Sequence, residues 1–76
     1  MLTLANIKKG EFFRILSMKG LEGTIFEKLR IFGFIEGGQG AVKRVAPFGD
    51  PLEVKIDDVS VFIRCVDASK IFVEKI

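Results

Sequence analysis

The chain has no histidine, no tryptophan, no tyrosine and one cysteine in its 76 residues. The missing histidines remove the commonest proton carrier and the commonest borderline-metal ligand. With Cys65 as the only thiol, neither a Cys/His nucleophile nor a His/Cys metal cage can be assembled. A lone thiol also forms no internal disulfide, so no stapled framework is implied. No apolar run nears the roughly 20 residues that a membrane span needs. Met1-Leu2-Thr3-Leu4-Ala5 meets Lys8-Lys9 before a signal-peptide core develops. These features predict a soluble, cytoplasmic protein without catalysis, cofactor or specific metal site. Asp50 and the Asp57-Asp58 pair are read as solvated turn acids.

Apolar material is plentiful. Hydrophobic residues make up 49% of the chain, and all eight aromatics are Phe. At this length a chain buries about 60% of its extended surface, so one dense core over residues 1–76 is expected. Net charge is only +2, with eight basic and five acidic residues before Pro51 and four against five from there on. That is too weak for the clustered basic stripe of a nucleic-acid binder. A mild preference for an acidic partner surface is what it supports.

Ala46-Pro47-Phe48-Gly49-Asp50-Pro51 is a rigid corner. Pro47 and Pro51 fix φ and remove donors, while Gly49 and Asp50 supply turn chemistry between them. Gly40 to Val45 leads in and Leu52 to Ile56 leads out, which predicts a hairpin. Glu11 to Met18 reads as an earlier strand, with Leu2 to Ile7 a short strand or single turn before it. Asp57-Asp58 is a two-residue turn into Val59 to Ile63, Val66 to Lys70 has room for one helical turn, and Ile71 to Ile76 closes as a strand. The one good helix starts near Thr24 and Glu27, which stand at capping-box spacing, and carries Ile25, Leu29 and Phe32 on one stripe, with Leu21 a turn before. Gly33 stands where a left-handed cap ends it. The three glycines of Gly37-Gly38-Gln39-Gly40 predict positive φ or close backbone approach. Gly38-Gln39-Gly40 is not a dinucleotide fingerprint, because Lys43 replaces its last glycine and no βαβ unit surrounds it. About five antiparallel strands and one short helix predict a mainly β, closed or nearly closed small barrel.

Lys28-Leu29-Arg30-Ile31-Phe32-Gly33-Phe34-Ile35-Glu36-Gly37 resembles the RLxxLGxxPG segment of the ferrous iron transport protein A (FeoA) family, and the proline corner resembles its APxGDP motif. Ile63-Arg64, Ala68-Ser69-Lys70-Ile71 and Val73 resemble its closing LRxxxAxxIxV pattern, and Gly10 with Ile15 its opening strand. Glu36 in place of proline, Lys28 in place of arginine and Ile63 in place of leucine are mild departures. The resemblance implies a Src-homology-3-like barrel. It also implies a non-enzymatic cytosolic accessory that contacts the G domain of the ferrous iron transporter (FeoB), with iron describing the pathway rather than a ligand. A small nucleic-acid-binding barrel and a detached C-terminal domain of an iron-dependent repressor are the alternatives.

Phe12, Phe62 and Phe72 fall out of phase with the aliphatics of their strands, so they belong outside the barrel if the aliphatics fill it. Either the helix covers them as a second small core, or they stay bare. In the second case they form a partner-docking patch with Phe26 at its edge and Lys28, Arg30, Lys43 and Arg44 as a basic rim. An open edge strand admits edge-to-edge pairing, so a monomer or weak homodimer is expected.

Overall fold

In the computed structural model, which describes residues 2–76, alternation in the sequence becomes the inside and outside of one sheet. Five strands, β1 (Phe12–Ser17), β2 (Gln39–Val45), β3 (Leu52–Ile56), β4 (Val59–Ile63) and β5 (Phe72–Lys75), pair antiparallel in the order β4-β3-β2-β1-β5. Leu52, Val54 and Ile56 of β3 point inward with Phe13 and Ile15 of β1, Val61 and Ile63 of β4 and Val73 of β5, and all are buried. The intervening Glu53, Lys55, Phe12 and Phe62 point outward, as the period of two requires.

Gly40 sits where a side chain has no room. A Cβ there would lie 2.6 Å from the Lys55 carbonyl oxygen and 3.0 Å from the Phe13 ring. Phe13 is the cross-strand partner of Gly40, so the missing side chain is what lets the ring lie flat on the strand.

Helix α1 (Gly23–Ile31) packs its apolar stripe on this core. Leu29 is buried, and Ile25, Phe26 and Phe32 lie against the cluster. Its C-terminus ends as the sequence predicts: Gly33 takes φ +99, its N–H donates to the Arg30 carbonyl at 3.1 Å, and the Phe34 N–H donates to the Leu29 carbonyl at 3.0 Å. The N-terminus does not. Glu22 is the cap residue, without a side-chain hydrogen bond, and the Thr24–Glu27 capping box does not form. Thr24 already lies within the first turn, where its hydroxyl is past the amides it would cap.

Leu2 to Ile7 is a 3-10 turn (Leu4–Asn6) flanked by pairing to the last strand. The Leu4 N–H donates to the Ile71 carbonyl at 2.9 Å, and the Val73 N–H to the Leu2 carbonyl at 3.1 Å. The second helix, α2 (Cys65–Ala68), is one turn as expected but starts a residue earlier than Val66. It packs on the 3-10 turn.

Candidate functional site

Residues 18–21 cross from β1 to α1, and residues 32–38 return from α1 to β2. Between these two connections and the helix lies a cleft of 390 Å³ lined by Met18, Lys19, Leu21, Phe26, Arg30, Phe34, Ile35 and Glu36. Met18, Leu21 and Phe34 form a buried floor, and half-buried Phe26 forms one wall. The left-handed Gly33 turns the chain so that Phe34 drops back onto Leu29. The next residues are then held to β1, because the Gly37 N–H donates to the Ile15 carbonyl and the Ile15 N–H to the Gly38 carbonyl, each at 2.8 Å. Ile35, 53% exposed, therefore stands at the mouth on a fixed backbone.

The rim is charged. The Arg30 guanidinium lies 5.6 Å from the centroid of the Phe26 ring, a separation at which a cation is held over the π face. Lys19 and Glu36 complete it, and none of the three enters an ion pair among the described residues. The arrangement offers an apolar recess with free charge at its mouth, suited to accepting an apolar side chain from a partner.

The predicted docking residues are not gathered here. Phe26 and Arg30 line this cleft; Lys28 is exposed on α1 outside it. Phe12, 58% exposed, lies over a shallow hollow with Gly40, Ala41, Lys55, Asp57 and Ile76. Phe62, 67% exposed, borders another with Arg44, Pro47, Pro51 and Glu53. Phe72 is half-buried on β5. The helix thus covers the core and leaves Phe12 and Phe62 bare, but the bare aromatics occupy separate hollows rather than one patch.

Lys43 and Arg44 come together through a bulge. Val42 pairs with Val54 and Arg44 with Glu53, so Lys43 is the extra residue and both basic side chains are exposed. They border a hollow with Lys9, and Glu53 neutralises Arg44 at 2.8 Å. Strict alternation would have sent the two to opposite faces.

At the proline corner, Pro47 and Pro51 are exposed, Asp50-Pro51 is a cis peptide, and Gly49 takes φ +85. The corner is anchored from within: the Ala46 N–H donates to the Pro51 carbonyl at 3.1 Å and the Gly49 N–H to the Ala46 carbonyl at 2.7 Å. Its tip, Phe48, is 99% exposed. Asp50 is not merely solvated, since its carboxylate accepts the Cys65 N–H. The Cys65 thiol donates to the Gly49 carbonyl, and burial, with the nearby Asp50 charge, pushes it above its ordinary pKa. That is the reverse of a reactive cysteine.

Met18, Leu21, Phe34 and Ile35 line the cleft without being marked in the sequence as docking residues. The usable signal was the pair of glycine-bearing connections flanking α1, which fold over one side of the helix. Among the described residues no three acidic or cysteine side chains converge in a way that could hold a metal, and no helix is long and apolar enough to cross a membrane.

Comparison with known proteins agrees with the motifs. The FeoA domain profile matches residues 2–75. The solution structure of iron(II) transport protein A from Clostridium thermocellum is similar at 32% identity and TM-score 0.90, over 99% of this chain and 46% of that one. FeoA from Chlorobium tepidum is similar at 28% identity and TM-score 0.91, over 97% of this chain and 70% of that one. Stenotrophomonas maltophilia FeoA, a Src-homology-3 domain protein crystallised with zinc, shares the fold at 23% identity and TM-score 0.83, over 97% of this chain and 91% of that one. This chain thus spans less than half the length of the Clostridium thermocellum protein. No curated protein matches it. With a Src-homology-3-like sheet, the proline corner and a family match along nearly its whole length, the chain belongs to the FeoA domain family.

Proposed function

We propose that the protein is a non-catalytic accessory of bacterial ferrous iron transport, acting at the cytosolic face by docking on the G domain of a FeoB-type transporter. The cleft walled by Phe26 and Arg30 carries this reading: it is apolar inside, charged at the rim and built on fixed backbone. Family membership supports the pathway, and the Stenotrophomonas maltophilia relative has been put forward as a ferrous iron transport activating factor. The partner supplies an apolar side chain for the floor of Met18, Leu21 and Phe34 and an acidic group for Arg30 or Lys19. Lys28, Lys43, Arg44 and the outer Phe12, Phe62 and Phe72 would contribute only if the partner wraps beyond the cleft.

An NMR titration of labelled protein with the G domain tests this. Shifts confined to residues 18–21, Phe26, Arg30 and 34–36 are expected. Arg30→Glu should weaken binding at least about tenfold, or roughly 1.4 kcal/mol. Ile35→Asp should do the same from the apolar side of the mouth. Shifts confined to the Phe12 or Phe62 hollows would overturn the cleft as the docking site. Shifts with a short single-stranded oligonucleotide and none with the G domain would replace the reading with nucleic-acid binding.

A further inference from the structure

β4 is an end strand of the sheet, and among the described residues no strand pairs with its outer edge. Which of its residues turn outward follows from the ladder. The Val42 N–H donates to Glu11 and the Gly10 N–H to Val42, so Val42 faces β1 and its neighbour Ala41 turns toward β3. Ala41 pairs with Lys55, and Lys55 with Ser60. Backbone groups of alternate residues point to opposite sides of a strand, so Lys55 bonds toward β2 and Ser60 and Phe62 aim their N–H and C=O groups away from β3. Neither residue has a backbone partner there among the described residues. Four hydrogen-bonding groups are thus presented in a row beside Val59 and Phe62, which are 37% and 67% exposed.

The charges at the two ends of this edge are opposite. Asp58 precedes β4 and Arg64 follows it; Asp58 enters no ion pair among the described residues, and Arg64, 72% exposed, reaches Asp67 at only 3.3 Å. Arg64 is itself still extended, at φ −69 and ψ 147. We infer that β4 pairs antiparallel with β4 of a second copy of this chain, in a two-fold register centred on Val61.

In that register Ser60 of each copy opposes Phe62 of the other, and the outward groups form four reciprocal hydrogen bonds. Val59 lies opposite Ile63 on the inner face. On the outer face the two Phe62 rings become diagonal neighbours, within reach of each other. At both ends Asp58 faces Arg64. The register slipped one way sets Asp58 against Phe62, and slipped the other way it sets Arg64 against Ser60, so only the centred one matches unlike charges at both ends. β4 shares no residue with the cleft of Phe26 and Arg30, and the inference stands whether or not that cleft binds a G domain.

Sedimentation equilibrium over a concentration series tests the pairing. The wild-type chain should dimerise below about 1 mM. Asp58→Arg sets like charges against each other at both ends and should raise the dimer dissociation constant at least about tenfold. Asp58→Arg with Arg64→Asp restores unlike charges in the same register and should recover the dimer, which a general loss of stability could not do. Ser60→Pro, which removes an outward N–H that the β3 ladder does not use, should leave a folded monomer. A wild-type chain still monomeric at about 1 mM would overturn the proposal, and so would a dimer indifferent to Asp58→Arg.

Discussion

The Asp50 carboxylate accepts a hydrogen bond from the backbone N–H of Cys65 at 2.9 Å, so the proline corner caps a helix that lies 15 residues further along the chain. Arg64, the residue at the cap position of α2, makes no side-chain capping hydrogen bond, its guanidinium going to Asp67 instead. The corner thereby ties the β2–β3 hairpin to the segment that follows β4. Replacing Asp50 by Ala should cost about 1–2 kcal/mol, the usual loss for a helix cap, read as a lower urea midpoint at unchanged slope. A midpoint equal to wild type would show the bond to be incidental.

Asp50 also acts on the Cys65 thiol, though less than burial does. Burial first, and the Asp50 charge second, hold the Cys65 pKa above its ordinary value. Alkylation of native protein at neutral pH should therefore be much slower than for the unfolded chain, and Asp50→Asn should speed it. A raised thiol pKa stabilises the fold below the ordinary thiol range, and that contribution fades as pH climbs through the folded value. Cys65→Ser should accordingly flatten the alkaline limb of a stability profile.

Glu11 acts at the opposite end of the pH scale. Its carboxylate accepts the Lys8 backbone N–H at 2.7 Å and lies 3.1 Å from the Lys75 ammonium, and these lower its pKa, the backbone bond most. A lowered carboxylate contributes stability above its unfolded pKa and loses it as pH falls through the folded one. Melting temperatures of wild type and Glu11→Gln should differ at neutral pH and converge as the solution is taken below the ordinary carboxylate range. A constant difference across that window would mean that packing, not charge, carries the effect.

Gly40→Ala tests the floor beneath Phe13. The new methyl would meet the Lys55 carbonyl and the Ile56 side chain inside 3 Å, so strand or ring must move. A cost of about 1–3 kcal/mol is expected, by the usual penalty of overpacking, together with shifted Phe13 ring resonances. Pairing it with Phe13→Leu should recover part of the loss, because the ring is one of the atoms in the way.

Much of this barrel was legible because alternation is strict where it matters. Leu52 to Ile56 and Val59 to Ile63 were placed to the residue, and of the three out-of-phase aromatics Phe12 and Phe62 are bare while Phe72 is half-buried. Gly33 was found as a helix terminator because only a residue at ease with positive φ serves there. What escaped depended on tertiary placement. The spacing of Thr24 and Glu27 fits a capping box, yet the helix starts at Gly23, before Thr24. The bulge at Lys43 leaves no mark in composition and still decides which way two charges point. The cleft is formed by residues on three separate segments, and beyond the glycines in the two connections flanking α1 no local pattern announces their meeting.

Residues 2 to 4 bond to Ile71 and Val73, and β1 lies between β2 and β5. The earliest and latest parts of the chain are thus knitted into one edge, whereas β2, β3 and β4 join by consecutive hairpins. During synthesis the hairpins can form as soon as they emerge, but the barrel cannot finish until Val73 is free to reach Leu2. Folding speed is then set by that distant closure rather than by the local turns. A chain cut before Ile71 would leave residues 2 to 4 without partners and one whole side of β1 unpaired.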